Sequence, residues 1–199
     1  MYVYGANGRH QPTSFLALVA LVRGCEKKDQ FIQFTKVRRD FEDFWLTHKH
    51  FANQLTRKFG SGIKGYERLV ELWQSIIELM LQGDAPSMIE ATLLADDRFS
   101  FLTPKEDSKS KKKGKAFDQE TKSEAFMKEA LGNALTCKIC QGYLHANSIS
   151  FDHAQRKQDG GLGTLDNAQM THPFCNSGFK EMEVAAMKAS NEHGSQSGT

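Results

Sequence analysis

The chain has 199 residues, enough for one domain or two small ones. Apolar residues make up 39% of the chain, which is sufficient for a folded core, while a mean hydropathy of −0.52 indicates that much of the chain is solvated. The formal net charge of +2 excludes a globally basic nucleic-acid binder, so any electrostatic attraction to nucleic acid must come from local patches.

The four cysteines bear on the compartment. Three of them lie at metal-ligand spacings in the last third of the chain, which favours a reducing compartment over disulfides and predicts a cytoplasmic protein. Cys25 is left over, and we expect it to be a half-buried helix residue. The sequence contains no transmembrane span, and no membrane partner is expected.

The N-terminal region, residues 1–103, is predicted to be an α-helical region, although residues 1–11 show no regular period. An apolar run at 15–22 indicates a short buried helix with Thr13 or Ser14 as its N-cap. The run is too short for a secretory signal and lacks the basic leader of one. Its abrupt start suggests a fragment of a longer protein, with an additional N-terminal domain or a partner subunit.

Helical spacing of apolar residues is longest over 29–59, where aromatic side chains recur between basic ones. Such a stripe could stack nucleic-acid bases, but a core face is the favoured interpretation. Gly60 ends this helix. Further helices are expected over 66–81 and from Pro86 to about residue 95. We expect this helical region to choose the target, although it contains no recognisable signature for one.

A lysine-rich stretch, residues 104–116, changes the character of the chain. Its six lysines face one glutamate and one aspartate, which predicts a mobile linker, with a phosphate-contacting arm as the alternative. Helical spacing resumes over 117–135, with Asp118 as its cap. This helix opens the C-terminal module, residues 117–190, and residues 191–199 are expected to be a frayed tail.

Two ligand pairs lie in the C-terminal module. They are Cys137-x-x-Cys140 and His172-x-x-Cys175, separated by 31 residues. Cysteine and histidine pairs at this spacing usually close a tetrahedral zinc site, so the four side chains are predicted to hold a structural Zn²⁺. His145 is a rival ligand, because it follows the first pair by five residues.

The insert between the two ligand pairs is predicted to be a β-hairpin. Residues 147–153 have a strand-like centre, the Gly-rich stretch 159–164 forms a turn, and residues 165–172 return as a second strand. Apolar spacing after Cys175 indicates a helix. The predicted order is therefore zinc knuckle, hairpin, zinc knuckle, helix.

At these residues the sequence resembles the HNH endonucleases, a branch of the ββα-metal (His-Me finger) nucleases. The pair Asp152-His153, two glycines at 160–161, a central Asn167 and a Cys-Asn step into Asn176 follow in that family's order. The resemblance covers about the last third of the chain. It implies a mainly α protein, in which an α-helical N-terminal region precedes a zinc-stapled ββα-metal (HNH) nuclease module.

The resemblance also implies a role for each residue. His153 is the general base that deprotonates water, because an imidazole titrates near neutral pH. Asp152 and Asn176 hold a catalytic Mg²⁺ or Mn²⁺, which one carboxylate and one amide oxygen suit. Asn167 braces the loop and orients the His153 ring. The plausible phosphate contacts are Arg156 and Lys180.

The implied function is metal-dependent hydrolysis of DNA, most naturally double-stranded, in restriction, in defence against invading DNA or in a mobile element. Two alternatives stay open. The first is a zinc-stabilised module that binds nucleic acid or protein without catalysis, for which the Asp-His pair would be unnecessary. The second is a nuclease that acts on RNA, because the motif does not distinguish the two nucleic acids.

Overall fold

The structure, a computed structural model, describes residues 1–5, 8–105 and 116–183. Most of the predicted linker, residues 106–115, and the whole predicted tail, residues 191–199, lie outside the described residues, and so do the last residues of the predicted nuclease module. The chain divides into two compact units, Met1–Asn133 and Ala134–Thr199.

The described part of the first unit is built from α-helices, as the sequence predicts. In chain order these are α1 (Pro12–Lys27), α2 (Phe31–Thr47), α3 (His50–Phe59), α4 (Ile63–Gln82), α5 (Pro86–Ala95) and α6 (Gln119–Gly132). The expected cap of α6 is present, since the Asp118 carboxylate accepts a hydrogen bond from the Thr121 N–H at 2.7 Å. None of the described helices is both long and apolar enough to span a membrane.

Helix α4 lies at the centre of the first unit, where α1, α2, α3 and α5 all pack against it. Its apolar side chains recur at helical spacing, and Leu72, Trp73 and Ile76 are completely buried. Gly83 ends the helix in a left-handed conformation, with φ of 90°. This helix thus supplies the surface on which the core is assembled.

The aromatic stripe of α2 and α3 belongs to that core. Phe41, Trp45 and Phe51 are at most 1% exposed, and the Trp45 and Trp73 rings meet edge to face with centroids 5.2 Å apart. The core interpretation of the stripe is therefore confirmed, and these three rings are not available for stacking on bases. Cys25, predicted to be half-buried, is only 7% exposed and belongs to this core.

Two local predictions in this region are wrong. The helical segment 29–59 is two helices, because the chain turns at His48, whose N–H and Nδ1 both lie within 3.0 Å of the Phe44 carbonyl. The N-cap of α1 is Gln11, with Pro12 at the first helical position, rather than a residue of the pair 13–14. Proline suits that position because the first helical N–H groups have no partner within the helix.

A buried carboxylate connects the start of the chain to α2. Glu42 is only 1% exposed, although the helical pattern places it off the apolar face. It accepts hydrogen bonds from the Tyr2 hydroxyl at 2.9 Å and from Arg38 Nε at 3.0 Å. These two donors offset the cost of burying its charge.

The second unit contains the predicted hairpin and helix within narrower bounds. Strands β1 (Ser150–His153) and β2 (Ala168–Thr171) pair antiparallel, with Asp152 opposite Gln169. A helix, α7, follows over residues 173–183 as far as the chain is described, and it includes a wide π turn at Cys175–Phe179 that contacts β1. Residues beyond 183 lie outside the described part of this helix.

Candidate metal centre and active site

The four predicted zinc ligands come together in the second unit. The ligand atoms of Cys137, Cys140, His172 and Cys175 all lie within 4.8 Å of one another. His172 Nδ1 is 3.4 Å from Cys140 Sγ and 3.8 Å from Cys175 Sγ. Nitrogen and sulfur ligands bonded to one tetrahedral zinc, at about 2.0 and 2.3 Å, would be about 3.5 Å apart. The group therefore has both the size and the donor set for zinc.

The histidine of this group is held in the tautomer that metal binding needs. His172 Nε2 lies 3.1 Å from the Tyr143 carbonyl, which can accept its proton. Donation from Nε2 leaves the lone pair of Nδ1 directed toward the sulfurs, as an outer hydrogen bond commonly does for a metal-bound histidine. The rival ligand His145 is not part of the cluster.

Without a metal ion, the three thiols of the group cannot all be ionised, because they share protons through hydrogen bonds. Hydrogen bonds from Cys140 and then Cys175 lower the pKa of Cys137, which becomes the preferred thiolate. Hydrogen bonds with Cys137 and Cys140 raise the pKa of Cys175, which keeps its proton. A bound dication is what lets all three sulfurs ionise together. This Cys3His group could therefore bind a metal such as zinc.

Asp152 is buried beside a lysine. The carboxylate is 8% exposed, and its Oδ2 accepts hydrogen bonds from Lys180 Nζ at 2.7 Å and from Gln169 Nε2 at 2.8 Å. Burial alone raises the pKa of Asp152, but the hydrogen bonds from Lys180 and Gln169 outweigh it and leave the pKa below its ordinary value. The group is consequently ionised at neutral pH and already paired with a cation.

His153 ends β1 and is half-buried. Because successive strand residues alternate between faces, we expect its ring on the opposite side of β1 from the Asp152 carboxylate. Its own carbonyl accepts a hydrogen bond from Lys180 Nζ at 2.6 Å. Within the described ranges, its ring makes no hydrogen bond.

Asn167 fastens the loop that follows His153. Its Oδ1 accepts a hydrogen bond from the Gln155 N–H at 2.7 Å, and its Nδ2 donates to the carbonyls of Gln155 at 3.0 Å and Leu162 at 2.8 Å. Its own carbonyl accepts from the Ala154 N–H at 2.8 Å. Asn167 thus braces the backbone one and two residues beyond His153, while an effect on the His153 ring stays a prediction.

The two glycines of the turn are needed for different reasons. Gly160 has a positive φ of 87°, which favours glycine. A Cβ on Gly161 would lie 1.9 Å from the Gln155 carbonyl oxygen and 2.9 Å from Asn167 Nδ2. The absence of a side chain at Gly161 therefore lets Asn167 make its hydrogen bonds to the backbone of Gln155 and Leu162, which we call the Asn167 clamp.

Gly161→Ala is expected to destabilise this loop by about 2 kcal/mol or more, because a methyl group there overlaps a backbone oxygen. Gly163→Ala is the matched control, since an added Cβ at Gly163 meets nothing within 4 Å. Hydrogen exchange of the Gln155 N–H, which Asn167 holds, is the direct measurement. Equal exchange rates in the two variants would contradict the close approach at Gly161.

Asn176 connects α7 to β1. It follows the predicted zinc ligand Cys175 directly, and its Nδ2 donates to Ser150 Oγ at 2.8 Å and to the Phe151 carbonyl at 3.3 Å. Both contacts use the amide nitrogen. The amide oxygen is the atom that the predicted role as a metal ligand requires.

Both predicted phosphate contacts are paired with carboxylates. Arg156 Nε donates to Asp159 Oδ2 at 2.7 Å, and Lys180 is the partner of Asp152. Contact with a phosphate would therefore require either cation to exchange one anionic partner for another. The pairing of Asp152 with Gln169 and Lys180 could be inferred from sequence only if the strand register and the position of α7 were already known.

Comparisons with known proteins gave no match to a family model, to a curated protein or to a solved structure. The similarity to HNH nucleases accordingly stays a prediction from the residues named above. The Cys3His cluster is the part of that prediction that the structure supports.

Proposed function

We propose that the second unit is an HNH-type endonuclease module that hydrolyses phosphodiester bonds of double-stranded DNA. The observation that supports it best is the end of β1, where a half-buried histidine follows a buried, ionised Asp152. The loop that begins directly after His153 is held by Asn167, whose side-chain oxygen accepts a hydrogen bond from the Gln155 N–H. A setting in restriction, defence or a mobile element belongs to the same proposal.

In this proposal His153 accepts the proton of the attacking water. The water oxygen forms a bond to phosphorus while the bond from phosphorus to the leaving ester oxygen breaks, and that oxygen takes a proton from solvent. The Asn167 clamp keeps the backbone beyond His153 in place, which limits the positions that the base can adopt. Half-burial leaves the ring reachable by water.

A divalent cation, Mg²⁺ or Mn²⁺, would neutralise the charge that develops on the phosphate and the leaving oxygen. The donor set for it is right in kind, because the Asp152 carboxylate and the Asn176 amide supply oxygen ligands. In the part of the chain that the structure describes, the only cluster of three or more metal-binding side chains is the Cys3His group. Water and phosphate would thus supply most of the ligands.

The direct test is nicking of supercoiled plasmid by the purified full chain, with Mg²⁺ or Mn²⁺ titrated from zero. Cleavage that depends on the added metal ion is the expected result. A structured RNA of similar length is run in parallel. Cleavage of the RNA alone would replace DNA by RNA as the substrate.

A zinc-stabilised binding module without catalysis is the second candidate. It is supported by contacts that give the motif residues a role in holding the fold together. Asp152 pairs with Lys180, and Asn176 donates a hydrogen bond to Ser150. A protein that binds the plasmid but never nicks it, at any Mg²⁺ or Mn²⁺ concentration, would favour this candidate.

Asn167→Ala is expected to slow cleavage by roughly 10- to 100-fold, less than loss of the base itself, because the clamp positions the loop without transferring a proton. Asp166→Ala is the matched control, because Asp166 is the exposed neighbour of Asn167 in the short 3-10 helix Leu165–Asn167. Rates are measured at saturating Mn²⁺. A rate for Asn167→Ala equal to that of Asp166→Ala would remove the positioning role.

A further inference from the structure

Lys180 occupies the cation position at Asp152. Its ammonium lies 2.7 Å from Asp152 Oδ2 and 2.6 Å from the His153 carbonyl oxygen, at the junction of the proposed metal ligand and the proposed base. The lysine side chain is 16% exposed and the aspartate 8%, so the pair is largely shielded from water. A charge-assisted hydrogen bond with this shielding is stronger than an exposed ion pair.

The two proposed ligands of the divalent ion lie on the two elements that Lys180 connects, Asp152 on β1 and Asn176 on α7. Asn176 and Lys180 are both on α7, and both contact β1, Asn176 at Ser150 and Lys180 at Asp152. A dication bound to the Asp152 carboxylate would lie a few ångströms from the ammonium, and like charges at that separation repel strongly when shielded from water. Repulsion from the ammonium therefore disfavours binding of a dication at this carboxylate while Lys180 stays in place.

We propose that Lys180 is a tethered cation that competes with the divalent metal ion for the Asp152 carboxylate. This inference rests on the proposed function only for the place of the metal ion. When the ion binds, the ammonium leaves Asp152 and becomes available to a phosphate oxygen of the substrate. Phosphate that holds the displaced lysine in turn favours the ion, because coupling between two binding events is reciprocal.

The first test measures binding of Mn²⁺ alone to the zinc-loaded full chain, from the electron paramagnetic resonance signal of the free ion. Lys180→Met is expected to bind Mn²⁺ about 10- to 100-fold more tightly than the wild type, because one charge-assisted hydrogen bond no longer has to be broken. Lys180→Arg keeps the positive charge and should stay within a few-fold of wild type. Lys157→Met removes an exposed lysine of the same unit and should bind as the wild type does.

The second test uses the wild-type chain, so it decides the matter even if Lys180→Met fails to fold. Lys180 is labelled with an amine-reactive reagent and quantified by mass spectrometry across a Mn²⁺ titration, with Lys157 as the internal reference. Labelling of Lys180 should rise with Mn²⁺ while that of Lys157 stays constant. A flat response of Lys180, or equal Mn²⁺ affinity in wild type and a folded Lys180→Met, would overturn the inference.

Neither test requires cleavage, so the two proposals can fail separately. If Lys180 competes with Mn²⁺ but the protein does not nick DNA, the role of Lys180 is retained and the nuclease proposal is refuted. If nicking depends on the metal ion but Lys180 does not compete with it, the nuclease proposal is retained and the role of Lys180 is refuted.

Discussion

Replacement of His153 by alanine is expected to lower the rate of DNA cleavage by about 10²- to 10⁴-fold, the usual contribution of a positioned general base. The side chain is half-buried at the end of β1, and its ring makes no hydrogen bond within the described ranges, so its loss should leave the fold intact. Binding of DNA and of Mn²⁺ should be retained. The measurement is the nicking rate at several Mn²⁺ concentrations, with zinc content and circular dichroism as fold controls.

His145→Ala is the matched control, because His145 is an exposed histidine of the same unit outside the Cys3His cluster. It should cleave at the wild-type rate. High Mn²⁺ should partly restore Asp152→Ala, whose defect is weakened metal binding, but should not restore His153→Ala. Added imidazole is expected to restore part of the activity of His153→Ala. Undiminished cleavage by this variant would refute the assigned base and favour the binding module.

Loss of the zinc site is expected to unfold the second unit and spare the first. In the described part of the second unit, the only buried apolar side chains are those of Cys137 and Cys175, which are themselves members of the Cys3His cluster. The first unit has a core of large side chains. Zinc contributes about 10–16 kcal/mol to the folding of comparable zinc-finger peptides, as much as the whole stability of a typical domain.

Cys140→Ser should therefore lose its zinc and become sensitive to protease after about residue 134, while most of the helical circular dichroism remains. Wild type should contain one tightly bound zinc per chain by elemental analysis. Cys25→Ser, which changes a cysteine of the first unit, should retain both the zinc and the protease resistance. A metal-free second unit that resists protease as well as the wild type would contradict a structural zinc.

Local signals explain which parts of the fold were predictable. Helix α5 begins at Pro86 and ends at residue 95 as predicted, because proline and the apolar spacing mark its ends within a few residues. The break between α2 and α3 has no such mark, since neither glycine nor proline lies at residues 48–49. The burial of Glu42 depends on Tyr2, forty residues away along the chain. Periodicity cannot reveal a partner at that distance.

In the candidate site too, contacts between residues close in sequence were predictable, and contacts between distant residues were not. Pairs such as Cys137-x-x-Cys140 were predictable because two ligands of one knuckle are close in sequence, and the second pair completes a familiar set. The ion pair of Lys180 with Asp152 spans 28 residues and depends on how α7 lies on the hairpin. Sequence patterns specify such packing only through the fold itself.

The wide turn at Cys175–Phe179 has a consequence for the spacing of motif residues. A π turn accommodates one residue more than an α-helical turn, so the residues beyond it are displaced by about 100° from the positions that a regular helix of the same sequence would give them. Measured from Cys175, at the start of the turn, a regular helix would place Phe179 rather than Lys180 nearest the position that faces Asp152. Four residues separate Cys175 from Lys180 here, and a regular helix would hold the same two side chains in this relation with three. An alignment of this segment with a chain that has the shorter spacing should therefore place a one-residue gap inside the turn.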